Sequence, residues 1–261
     1  MIARTGRVAL LALLLLSAVV PFGLLALWSV SGTWFYPALA PSGLTLESWR
    51  QVAGGDLGGA VARSVMLGAG TAALGTAAGL PVGRALARLR GVRRHIGAAL
   101  AFLPVTAPPV AFAVGVQYFF LRLGLGGSVL GVLLAHAVPA VGYLSLYFLG
   151  VFAAYDAGPE EEARTLGATP WQALRLVTLP ALQRQVAEAA ALGFLVSWAQ
   201  VALTQLVGGG LVRTLPTEVF AYVRSGQDRF AATGALLLSV PPLLALAAAR
   251  VVARRAAVPT P

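Results

Sequence analysis

Six stretches of this chain stay apolar for about 20 residues or more, the length a helix needs to cross a bilayer. They run roughly over Val8–Val30, Ala60–Val82, Ile96–Leu121, Val129–Ala153, Val186–Val207 and Phe230–Val252. Backbone N–H and C=O groups find no water in hydrocarbon, so runs of this kind pair internally as helices. The pattern predicts an all-α, polytopic membrane protein with six transmembrane helices. A mean hydropathy of +0.82 with only 11% charged residues excludes an ordinary soluble domain. Residues 1–261 read as one transmembrane domain. Its core helices fall within 60–252, a first helix lies at 8–30, and a polar loop at 154–185 separates the fourth and fifth helices.

The residues that are missing narrow the chemistry. There is no cysteine, so no disulfide, thiolate metal site or cysteine nucleophile can form. All nineteen basic residues are arginines. A phosphate-cradling P-loop needs a lysine, so this chain binds no nucleotide that way and any ATP belongs to another chain. A net charge of +10 suggests nucleic acid, but the arginines gather beside the apolar runs, which points to the lipid bilayer and not to nucleic acid.

Arginine bias sets the orientation. An inside N-terminus leaves thirteen arginines in the cytoplasm: Arg4, Arg7, Arg84, Arg88, Arg90, Arg93, Arg94, Arg164, Arg175, Arg184, Arg250, Arg254 and Arg255. Six remain outside: Arg50, Arg63, Arg122, Arg213, Arg224 and Arg229. Both termini and the 154–185 loop are therefore expected inside. Arg4 and Arg7 ahead of an apolar run, with Ala38-Leu39-Ala40 beyond it, also imitate a signal peptide. The run is too long for one, and Pro41 follows the imitated cleavage site.

The 154–185 loop has an internal design. Pro159 suits a first helical turn. Glu160, Glu161 and Glu162 put negative charge at the positive end of the helix dipole, and Gly167 suits the left-handed residue that ends such a helix. Thr169, Pro170 and Gln172 then read as N-cap, first residue and third residue of a new helix with a capping box, which Leu179-Pro180 closes. The expected product is a short helix–turn–helix outside the membrane, docking to a partner.

This loop resembles the signature of the membrane subunits of bacterial binding-protein-dependent ABC importers: Glu-Ala-Ala, three residues, Gly, nine residues, an aliphatic residue, one residue, Leu-Pro. Glu161, Glu162 and Ala163 fill the triplet, Gly167 follows at the right distance, and Val177, Thr178, Leu179 and Pro180 complete it. Glu162 departs from the usual Ala. The resemblance implies the type I (MetI-like) permease fold, with five core helices and a variable extra first one, in the bacterial inner membrane. It implies a cytoplasmic coupling helix that docks on an ATPase subunit through Glu161, Glu162, Ala163, Gly167, Thr169, Trp171, Leu179 and Pro180. Its implied partners are two ATP-binding cassette subunits, a second permease subunit (the same chain or a different one) and an extracytoplasmic solute-binding protein. ATP and Mg would sit on the ATPase, with no cofactor on this chain. The stretch Gly208–Pro216 resembles the Gly-Gly…Thr-Leu-Pro segment of permeases in the polyamine, ferric-iron, thiamine and molybdate-related group. That resemblance suggests Gly209, Gly210 and Arg213 as docking residues for the binding protein; read alone, the segment is a turn closing a helical hairpin.

Inside the predicted spans, Ser197, Gln200 and Thr204 share one helix face beside Gln205. They read either as the lining of a translocation path or as interhelical hydrogen bonds. The third span carries Pro104, Pro108 and Pro109 ahead of Gln117 and Tyr118, which predicts a kink at the pathway or in the packing. Thr71, Gly75, Gly79 and Gly83 recur every four residues, a small-residue stripe for close helix packing. His136 reads as a hydrogen-bonded helix contact. With only His95 besides it, no histidine metal cluster forms. A self-contained secondary transporter or membrane-embedded enzyme would carry intramembrane carboxylates or a catalytic set. Here the spans offer only Glu188, so no catalytic residue is expected. No ring of charge marks a cargo.

Overall fold

A computed structural model of the chain describes residues 2–35 and 37–256. It is built of helices; among the described residues, the β pairing is a single bridge between Ser31 and Leu44. The described residues group into two compact units, one within 2–63 with 214–241 and the other within 64–213 with 242–256.

The first unit contains α1 (Ile2–Ser29), α2 (Glu47–Gly54), the start of α3 (Asp56–Arg88), α12 (Leu215–Arg224) and the first half of α13 (Asp228–Ala256). A polar knot holds it. Ser48 donates to the Ser29 carbonyl at 2.8 Å, Thr233 donates to Ser48 at 2.9 Å, and Arg229 pairs with Glu47 at 3.0 Å. Thr214 caps α12 with Thr217 and places Pro216 in its first turn.

The second unit holds α4 (Gly91–Thr106), α5 (Pro109–Arg122), α6 (Val129–Ala153), α7 (Gly158–Thr165), α8 (Pro170–Ala173), a π turn (Leu174–Thr178), α9 (Leu179–Ala181), α10 (Gln183–Trp198) and α11 (Ala202–Gly208). Two buried apolar groups organise it. Leu67, Ala113, Phe120, Val132, Leu203 and Val207 lie in one, and Leu80, Leu144, Phe148 and Ala189 in the other. Gly75, Gly79 and Gly83 of α3 face α6 so closely that an added methyl would meet Leu144 or Phe148. The small-residue stripe is therefore a packing seam. Leu100, Leu103, Val110, Val114, Phe119 and Leu121 are exposed along α4 and α5, an apolar surface that only lipid or a partner can cover.

Among the described residues, α3 and α6 are each long and apolar enough to cross a membrane. The expected third and fifth runs are not continuous. The third breaks into α4 and α5 with a 93° bend, and the fifth into α10 and α11 with a 63° bend. If each bent pair crosses as one, the count is four. The first break follows from the sequence. Pro108 forces Ala107 into extended backbone (φ −66°, ψ 141°), and Pro109 restarts a helix as its first residue. No proline explains the second break, which the tertiary hydrogen bonds described below bridge.

Candidate functional site

The polar loop folds as its residues dictate. Asp156 accepts the Gly158 N–H at 3.0 Å, Pro159 sits in the first turn of α7, and Glu160 and Glu161 lie at its positive end. Gly167 has φ +93°. Its N–H reaches the Arg164 carbonyl at 3.1 Å and the Ala168 N–H reaches Ala163 at 3.0 Å, the paired bonds of a Schellman stop. Thr169 and Gln172 exchange both capping-box bonds, at 2.8 and 3.3 Å, with Pro170 opening α8.

One boundary differs from expectation. Leu179-Pro180 does not close the second helix. The helical path runs through the π turn and α9 to Ala181 before Leu182 caps it. The Leu179 N–H bonds back to Leu174, five residues earlier. The wider turn thus adds a residue just ahead of Pro180, whose ring would otherwise collide with the preceding turn.

The loop shows the solvent an unusual surface. Leu166 is 88% exposed and Trp171 64% exposed, beside exposed Glu161, Glu162, Thr169 and Pro180. Ala163 and Leu179 are half-buried supports. Large apolar side chains held outward by two capping motifs form a surface made to be covered.

Beneath that surface lies a cluster the sequence reading missed. Glu160 does more than place charge at the helix dipole, because it is buried. One carboxylate oxygen pairs with the Arg84 guanidinium of α3, and the other accepts the Thr178 hydroxyl of the π turn at 2.8 Å. Arg84 also stacks over Phe152 of α6 at 5.7 Å. Burial alone would raise the Glu160 pKa, but the Thr178 hydroxyl and the Arg84 and Arg88 charges together hold it below the usual carboxylate value. A carboxylate so placed is fixed, because losing one partner leaves the other charge poorly solvated, at a cost of roughly 3 kcal/mol when burial is deep.

Of the polar residues expected along the fifth run, Ser197 and Thr204 are buried, Gln200 is half-buried and Gln205 is exposed. Ser197 and Thr204 sit on opposite sides of the break and both reach His136 of α6. Nδ1 is 2.9 Å from the Ser197 hydroxyl and Nε2 is 3.0 Å from the Thr204 hydroxyl. Thr204 donates to the Gln200 carbonyl at 2.8 Å, so it accepts from an Nε2–H, and Nδ1 accepts from Ser197. One imidazole therefore spans the bend, and the Thr204 hydroxyl satisfies the Gln200 carbonyl there. His136 is the hydrogen-bonded contact expected of it. His136→Leu should lower the unfolding midpoint of the purified protein by the equivalent of about 1 kcal/mol, two contacts at roughly 0.6 each. An unchanged midpoint would show the bridge to be idle.

Both helix breaks open on one cavity of about 380 Å³, where Pro104 and Phe112 meet Pro139, Tyr143 and Gln200. Gln117 is half-buried farther along α5. Glu188 is bonded to the Tyr147 hydroxyl at 2.6 Å and to Arg184 at 2.9 Å. Gly209 and Gly210, with φ +55° and +77°, end α11 in consecutive left-handed residues, and Arg213 follows on the surface. Among the described residues, no three His, Cys, Asp or Glu side chains gather as for a metal.

Comparison with known proteins agrees with these features. Residues 75–258 match the family described as binding-protein-dependent transport system inner membrane component. The chain is 34% identical over 198 residues to the molybdenum transport system permease protein ModB of Mycobacterium tuberculosis, covering 70% of this chain and 75% of that one. It is 27% identical over 238 residues to the putative 2-aminoethylphosphonate transport system permease protein PhnV of Salmonella typhimurium, covering 90% and 89%. In fold it is similar to a bacterial ABC transporter involved in import of the acidic polysaccharide alginate, with TM-score 0.65 and 17% identity over 95% of each chain. The chain belongs to the family of inner-membrane permease components of binding-protein-dependent ABC importers.

Proposed function

We propose that this permease component forms, with a second permease subunit, the translocation path for a small polar solute. Two ATP-binding cassette subunits would dock on its cytoplasmic loop and an extracytoplasmic binding protein would deliver the cargo. The observation that carries the reading is the outward display of Leu166 and Trp171 on a loop matching the importer signature, held by a Schellman stop and a capping box. In this reading α7 is the coupling helix and Gly167 its turn. Six crossings, with α1 and α13 added to the four above, bring both termini to the cytoplasm, in keeping with the thirteen-to-six arginine bias. The cavity at the two breaks, with Gln200 on its wall, belongs to the path, as do Gln117 and Gln205, while Ser197 and Thr204 brace it through His136. Gly209, Gly210 and Arg213 lie on the docking side for the binding protein, and the structure of an alginate transporter in complex with a ligand-bound periplasmic protein supports such a partner. The relatives are named for molybdenum, an aminophosphonate and spermidine/putrescine, which fits a path of generic polarity whose cargo is chosen by the binding protein.

The test is assembly and turnover. The purified chain should hydrolyse ATP only at background, because it has no lysine for a P-loop. It should co-purify with an ATP-binding subunit and turn over once that subunit is added. ATP turnover by the isolated chain, or failure to capture an ATP-binding subunit, overturns the proposal.

A further inference from the structure

We propose that the Arg84–Glu160–Thr178 cluster is the strut through which the docking loop moves the membrane helices, with Glu160 as its positioning residue. The proposal rests on the reading of Gly158–Ala181 as the ATPase-docking segment. It adds that docking alone is not enough, because α7 is only eight residues long and is joined to α6 by the short stretch 154–157. A push on so short a helix would be absorbed by its connections unless something stiff tied it to a span.

The geometry supplies that tie. Glu160 lies on α7, Arg84 near the cytoplasmic end of α3, and Thr178 in the π turn, so one carboxylate joins a membrane helix to both arms of the loop. Phe152 under the guanidinium adds the end of α6. The carboxylate is buried while Glu161 and Glu162 beside it are exposed, so the three acidic residues divide into one that faces inward to the spans and two that face a partner. The π turn has a role here too. It sets Thr178 toward Glu160, where the hydroxyl completes the carboxylate's second oxygen. Gly83, one residue before Arg84, lies against the α6 backbone, so displacement of Arg84 is passed to the α3–α6 seam and not lost in a loose helix end.

The chain has no cysteine, so single spin labels can be placed without background. Thr165→Cys reports the loop and Leu89→Cys the end of α3. Distances between the two permease subunits of the assembled complex are measured with and without MgATP and vanadate, which traps the closed ATPase. In the parent both labels should shift. With Glu160→Gln or Arg84→Ala the Thr165 shift should persist while the Leu89 shift is lost. Thr178→Val, which keeps the ion pair, should reduce the Leu89 shift, and the exchange Arg84→Glu with Glu160→Arg should return it. A merely structural role would lower the yield of complex and leave the two labels shifting together. A full Leu89 shift in Glu160→Gln and Arg84→Ala overturns the strut while leaving the docking reading intact. A Thr165 label that does not respond in the parent overturns the docking reading, and the strut falls with it.

Discussion

Gly167→Asp is expected to leave the protein inserted in the membrane, abolish ATP-driven uptake and weaken co-purification of the ATP-binding subunit. The reason is conformational. Gly167 holds φ +93° in the stop between α7 and α8, and a side chain there costs on the order of 1–2 kcal/mol. Apart from its two chain neighbours, no atom of the described residues lies within 4 Å of where its Cβ would stand, so the membrane core should be untouched. Relief of the strain would come from opening the turn, which releases the Ala168 and Gly167 hydrogen bonds and swings Leu166 and Trp171 apart. At a tenfold change in affinity per 1.4 kcal/mol, the strain alone weakens docking by about fivefold or more. A charge on the exposed turn adds to this. Gly167→Asn separates the two contributions, since asparagine has nearly the shape of aspartate without its charge. It should retain part of the activity. Normal uptake and normal ATPase capture by Gly167→Asp would exclude this turn from the docking surface.

The 154–185 loop was legible in the sequence because its signals are local. Proline at a helix start, glycine at a left-handed stop and a Thr–Gln capping box each act within four residues, and each formed as read. The Ala107-Pro108-Pro109 break was legible for the same reason. What escaped was set by partners far along the chain. Glu160 looks like its two acidic neighbours, and what makes it different is Arg84, 76 residues earlier, together with Thr178, 18 residues later. The break at Ala199–Val201 carries no proline or glycine; His136 bridges it through the Ser197 and Thr204 hydroxyls, and Thr204 donates to the Gln200 carbonyl at the bend. Of the polar residues along this run, the buried pair Ser197 and Thr204 are bonded across helices while Gln200 borders the cavity. The π turn likewise had no local signal beyond Pro180, whose demand for room could equally have been met by ending the helix.

Gly83→Ala should be the most damaging single methyl in the glycine seam, ahead of Gly79→Ala and well ahead of Gly75→Ala. At Gly75 the added methyl would approach the Leu144 Cδ1 at 2.8 Å, a side-chain tip that can rotate away. At Gly79 it would lie 2.7 Å from the Leu144 Cβ and 3.0 Å from its carbonyl carbon. At Gly83 it would come to 2.5 Å from the Phe148 Cβ and 2.7 Å from both the Leu149 nitrogen and the Ser145 oxygen. The last two are backbone, so neither helix can yield locally and α3 must lift from α6. Overpacking of this kind costs roughly 1–3 kcal/mol, and the loss is greater where close van der Waals contact holds the helices together. The unfolding midpoint in detergent should fall in the order Gly75, Gly79, Gly83, with Gly83→Ala also losing assembled complex. Because Arg84 follows directly, lifting α3 there would also draw the guanidinium from Glu160, so Gly83→Ala should impair transport more than its loss of folded protein accounts for. A variant at Gly83 as stable and active as the parent would mean that α3 and α6 do not meet at this seam in the membrane.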